Sequence, residues 1–93
     1  MKSLNQGPHK GYALVIGEIL RARRRRVGIS QGELAGLVGV TPASICYYES
    51  GSRLPSINTL LKLKSALGFT VKDCIKIIEA MGSGEQENIQ KKD

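Results

Sequence analysis

Ser30-Gln31-Gly32-Glu33-Leu34-Ala35-Gly36-Leu37-Val38-Gly39-Val40-Thr41-Pro42-Ala43-Ser44-Ile45-Cys46-Tyr47-Tyr48-Glu49-Ser50-Gly51 decides the fold of this chain. Ser30 with Glu33 forms a Ser-x-x-Glu capping box, in which side chain and backbone satisfy each other's free groups at a helix start. Thr41 followed by Pro42 supplies a cap and then a proline at the first helical position, where its missing N–H costs nothing. Gly39 and Gly51 stand where each apolar pattern stops, as glycines that end helices do. The stretch therefore predicts two short helices, 31–38 and 42–50, separated only by Gly39-Val40-Thr41. Two short helices joined by a three-residue, glycine-containing turn have the helix-turn-helix pattern. Val38, Val40 and Ile45 are placed to lock the pair, which projects the second helix outward.

The same punctuation extends in both directions. Gly28, Gly68 and Gly82 mark further stops, and Ser56 and the Thr70–Asp73 pair mark further starts. Helices are predicted over 13–27, 57–67 and 71–81, with links of three to six residues. No run alternates with period two, so no strand is expected. The fold class is all-α: a compact five-helix domain over 12–81, with flexible tails at 1–11 and 82–93. The expected inward residues are Ile16, Ile19, Leu20 and Val27; Leu34, Ala35 and Val38; Ile45 and Tyr48; Ile57, Leu60, Leu61, Leu63 and Leu67; and Val71, Cys74, Ile75 and Ile78.

Charge is unevenly placed. The net charge is +6, with seven basic residues and one acid up to Arg26, and seven of each sign after it. The excess peaks at Arg23-Arg24-Arg25-Arg26, which suits a phosphate backbone or an anionic membrane surface. No Trp or Phe flanks the arginines to anchor a helix in lipid, which weakens the membrane reading. No stretch approaches the roughly 18 apolar residues of a membrane span, and the first eleven residues lack a secretory signal's apolar core. Cys46 and Cys74 have neither a C-x-x-C partner nor a histidine cluster, and read as two free thiols. The sole histidine, His9, lies in a Gly-Pro-containing tail, and no acid pair or nucleophile–base pair is visible. Neither an enzyme, a metal site nor a cofactor is expected.

The residues Ile29-Ser30-Gln31-Gly32-Glu33-Leu34-Ala35, Val38-Gly39-Val40-Thr41, Ile45, Tyr48-Glu49-Ser50-Gly51, Pro55-Ser56, Leu60-Leu61 and Ala66-Leu67-Gly68 resemble the Cro/lambda-repressor-type (XRE) helix-turn-helix family. The resemblance covers about Ile16 to Asp73. It implies five helices, a cytosolic protein and double-stranded operator DNA as partner, hence a transcriptional regulator. By position, it assigns DNA contacts to Gln31, Thr41, Pro42, Ala43, Ser44 and Tyr47, and backbone contacts to Ser50, Ser52 and Arg53. It also implies an ion pair between Arg24 and Glu49. Two departures stand out: Pro42 and Ala43 replace the polar readers common in the family, and Lys64 stands where a small buried residue is usual.

The residues themselves give a consistent reading of the third helix. With Ile45 and Tyr48 inward, Ala43, Cys46, Tyr47 and Ser50 share the outward face. That face lacks the Arg, Asn or Gln that grips guanine or adenine with two hydrogen bonds. Phosphate contacts and DNA shape are then expected to carry much of the recognition. On the fifth helix, Ile77 and Met81 remain beside Cys74 and Ile78 as an apolar edge, and these four are the expected homodimer surface. A rival reading is an antitoxin that binds a toxin protein as well as its own operator.

Overall fold

In a computed structural model of the chain, backbone is described for residues 3–92 and side chains for residues 11–82. Five helices follow one another: α1 (Ser3–Val27), α2 (Gln31–Val38), α3 (Pro42–Ser50), α4 (Ile57–Leu67) and α5 (Val71–Lys92). No strand occurs among the described residues. The caps form as the sequence predicts. Ser30 Oγ accepts from Glu33 N at 3.0 Å while Glu33 Oε1 accepts from Ser30 N at 2.8 Å. Thr70 and Asp73 reciprocate in the same way at the start of α5, at 3.1 and 3.0 Å. Gly39 closes α2 with φ 75°, a left-handed conformation that glycine adopts without steric cost. Its N–H and that of Val40 both bond Ala35 O, which turns the chain directly into α3.

The two terminal helices outrun their expected limits. Helical backbone runs back to Ser3 and on to Lys92. Gly82 is not among the left-handed glycines, so it continues α5 instead of ending it. The expected flexibility of 1–11 and 82–93 falls mainly on side chains outside the described residues.

α1 is the spine, packed against α3, α4 and α5, while α2 bridges α3 and α4. Leu20, Leu34, Ile45, Leu63 and Leu67 are fully enclosed, ringed by Ile16, Ile19, Ala35, Val38, Tyr48 and Ile77. Burying a side chain of this size contributes about 1.5–3 kcal/mol. This is enough to hold the helices together, though α2, α3 and α4, at 8, 9 and 11 residues, would each be marginal alone in water.

Several inward assignments are corrected. Val27 is exposed because it lies about two turns beyond Leu20, the last core residue of α1, where the chain leaves the helix at Gly28. Ile57 opens α4 and lies outside the core, and Leu61 faces away because Leu60, Leu63 and Leu67 form the buried stripe. Lys64 is exposed, so it needs no burial of its charge. The largest revision concerns α5. Ile77 is buried at 7% exposure, whereas Val71, Ile75 and Ile78 stand 75, 46 and 65% exposed. Asp73 lies on the face of α5 that this rotation turns inward. Its carboxylate closes the cap of α5 and lies 3.8 Å from Arg23 Nε of α1, and the face holding Asp73, Ile77 and Ala80 turns toward α1.

Candidate nucleic-acid interface

The stance of α3 is fixed from inside by one carboxylate. Glu49 is enclosed, its side chain 1% exposed. Arg24 Nε donates to Glu49 Oε2 at 2.6 Å and Arg24 Nη2 to Oε1 at 3.0 Å, a two-pronged pair. Arg24 Nη1 donates to Ile29 O at 3.0 Å, which holds the α1–α2 link. Gln31 Nε2 donates to Glu49 Oε1 at 3.0 Å from the first residue of α2. Three helices thus converge on a single acid. Burial alone would push the Glu49 pKa up. Hydrogen bonds from Arg24 and Gln31, with the charges of Arg24 and Arg21, outweigh it and hold the carboxyl below its ordinary value. The Arg24 guanidinium is held above its own, chiefly by the bond to Glu49.

A second lock is steric. A Cβ on Gly17 of α1 would lie 2.6 Å from both the Tyr48 and Glu49 carbonyl oxygens, so only glycine lets α1 and α3 approach this closely. Leu14 covers Gly51 at the end of α3 in the same contact.

With Ile45, Tyr48 and Glu49 buried, the opposite side of α3 is open. Thr41, Pro42, Ala43, Cys46, Tyr47 and Ser50 are exposed, and Ser44 is half-buried. Thr41 Oγ1 accepts from Ser44 N and donates to Ser44 Oγ, both at 3.1 Å. The Ser44 hydroxyl proton is therefore left to donate outward. Ser50 Oγ donates to Tyr47 O at 3.1 Å and pairs with Ser52 Oγ at 2.7 Å. The Arg53 guanidinium carbon lies 5.0 Å from the centroid of the Tyr47 ring. Gln31 is half-buried and already bonded to Glu49, so its amide is held in place beside the α2 start.

Arg21 was not among the residues singled out in the sequence. It is 47% exposed at the side chain, 3.6 Å from Glu49 Oε1. Its position three residues before Arg24 was a readable signal, since that spacing shares a helix face. Arg23 turns away to α4, where its Nη2 donates to Gly68 O at 3.0 Å. Arg25 and Arg26 are exposed. The arginine run is thus divided between scaffold and surface. The residues expected at a dimer surface are also divided: Ile78 and Met81 are exposed, Cys74 is half-buried and Ile77 is in the core.

Residues 15–73 match a family model described as a helix-turn-helix domain. A protein named as an HTH-type transcriptional regulator in Thermoplasma volcanium is 32% identical over 71 residues, covering 76% of this chain and 22% of that protein. A protein named in the same way in Methanocaldococcus jannaschii is 30% identical over 77 residues, covering 83% of this chain and 24% of the relative. Human endothelial differentiation-related factor 1 is 33% identical over 73 residues, covering 76% of this chain and 49% of the human protein. The chain spans between 22% and 49% of the length of these three relatives.

Proposed function

This chain belongs to the XRE-type helix-turn-helix family, and we propose that it is a transcriptional regulator that lays α3 in the major groove of operator DNA. The observation that carries this reading is the two-sided character of α3. Its inner side is seated by Ile45, Tyr48 and the Arg24–Glu49 pair, and its outer side presents hydroxyls, a methyl and an aromatic ring with no covering element among the described residues. Such a face suits thymine methyls and phosphate oxygens. Gln31, Thr41, Pro42, Ala43, Ser44, Tyr47, Ser50, Ser52 and Arg53 form the proposed contact set, joined by Arg21, Arg25 and Arg26 as exposed cations. No described helix is long and apolar enough to cross a membrane, and the proposed place of action is the cytoplasm.

The same reading makes the active species a homodimer. Val71, Ile75, Ile78 and Met81 are exposed along α5, at spacings of four, three and three residues. This strip replaces the one built on Ile77. Paired about a two-fold axis, it would present two copies of α3 about 34 Å apart, one turn of DNA.

Titration of a labelled duplex from the DNA flanking the gene, at several salt concentrations, tests the function. Each phosphate neutralised contributes a slope of roughly −0.9 in log affinity against log salt, and several such contacts are expected. Affinity that is flat in salt, or equal for flanking and random duplexes, would overturn the proposal.

A further inference from the structure

Apart from the enclosed Glu49, α3 contains no charged side chain, and it holds no Asn or Gln, so by itself it cannot grip a base edge or phosphate with two parallel hydrogen bonds. The loop after it supplies the missing group. Gly51, with φ 80°, reverses the chain at the end of α3. Ser52 N and Arg53 N then both donate to Tyr47 O, at 3.0 and 3.3 Å. The Ser50–Ser52 hydroxyl pair braces the same turn. The loop is therefore tied to the carbonyl of the residue whose ring Arg53 covers, with the guanidinium carbon 5.0 Å from the ring centroid. Among the described residues no hydrogen bond or ion pair engages the Arg53 guanidinium, so its N–H donors are unspent, while Tyr47 is still 44% exposed.

We propose that Tyr47 and Arg53 act as one composite DNA-contacting element. The ring holds the plane of the guanidinium, and the free edge of the guanidinium grips a pair of acceptors on the duplex. Two phosphate oxygens or O6 and N7 of guanine have the required geometry. The attraction between a cation and a ring face strengthens when water is excluded, so the ring contributes more in the complex than on the free surface. Position in the sequence assigns the two residues separate roles, one on α3 and one in the loop. The Arg53 contact is instead conditional on the Tyr47 ring. It rests on the DNA-binding reading above.

A double-mutant cycle on the full chain tests it. The probes are a duplex selected from a random pool by the unsubstituted protein and a random duplex of equal length. Arg53→Ala is expected to weaken the selected duplex about tenfold, and Tyr47→Leu about fivefold. The double variant should be within about twofold of Arg53→Ala alone. Tyr47→Phe keeps the ring and should stay within about twofold of the unsubstituted chain. Both side chains are exposed, so thermal melts should be unchanged. Loss confined to the selected duplex assigns the guanine edge; equal loss on both duplexes, with a salt slope reduced by about one, assigns phosphate. Losses that multiply in the double variant to about fiftyfold overturn the coupling while leaving DNA binding intact. Failure of the unsubstituted chain to bind any duplex overturns the DNA-binding reading and the composite element with it.

Discussion

Gly17 of α1 and Glu49 of α3 meet so closely that a single methyl group between them would lie 2.6 Å from the Glu49 carbonyl oxygen. The atoms on the α3 side are backbone, which cannot swing aside, so the helices themselves would have to part. Gly17→Ala should therefore destabilise the domain by about 1–3 kcal/mol, although alanine is the better helix former. Gly36 in α2 is the control, because a Cβ there meets nothing within 4 Å. Gly36→Ala should stabilise by about 0.5–1 kcal/mol. Thermal melts decide: a shift of about 4–8 °C per kcal/mol is expected for a domain of this size, with opposite signs for the two variants. Equal upward shifts would mean that the α1–α3 approach is not tight.

The Arg24–Glu49 pair gives stability a defined pH dependence. The folded state holds the Glu49 pKa below its unfolded value. Its contribution is therefore complete above the unfolded value, about pH 4.3, and is lost as pH falls through the lower folded value. Glu49→Ala leaves a nearly enclosed guanidinium unpaired and should cost about 3–5 kcal/mol at neutral pH. Glu49→Gln, which keeps some hydrogen bonds, should cost less. Urea melts of the unsubstituted chain and of Glu49→Gln should differ by a constant amount between pH 6 and 8, with the gap narrowing in acid. A gap unchanged well below pH 4 would show that the carboxylate charge is not what stabilises the pair.

Adjacent isoleucines on α5 should behave oppositely. Ile77 is in the core and Ile78 is exposed. Ile77→Asp buries an unpaired charge and should unfold the domain or nearly so. Ile78→Asp should leave helical content intact while converting a dimer to a monomer in sedimentation equilibrium at micromolar concentration. A chain that is already monomeric, or a dimer indifferent to Ile78→Asp, would remove the α5 strip as the pairing surface.

The helix boundaries inside the domain were legible because caps are local: Ser30, Thr41, Ser56 and Thr70 each bond a backbone N–H three residues on. The inward faces of α2 and α3 were legible for the same kind of reason, since each is short and carries one apolar stripe. α5 carries two, one through Cys74 and Ile77 and one through Val71, Ile75 and Ile78. A helical period cannot choose between them; the choice appears only in the tertiary packing, where Ile77 joins the core and Asp73 faces Arg23 of α1. The Arg24–Glu49 pair could be expected from family position and from shared facing, but its extension to Gln31 and the Ile29 carbonyl depends on how the α1–α2 link folds. Gly17 gave no warning, because a close approach between helices leaves no periodic trace. The approach of the Arg53 guanidinium to the Tyr47 ring was hidden by a chain reversal that periodicity does not describe.

The side chains of α3 that seat it are Ile45, Tyr48 and Glu49, while positions 43, 46, 47 and 50 form no part of the core. The helix is therefore divided into a plug and a label. On the proposed DNA-binding reading, a duplicated copy of the gene could change its DNA target by rewriting those outward side chains together with Arg53, while keeping the side chains that seat the helix. Drift at the plug has the opposite outcome: it costs the fold before it changes the target. On the same reading, retargeting by exchange of the outward residues and Arg53 is open to the engineer as well as to evolution.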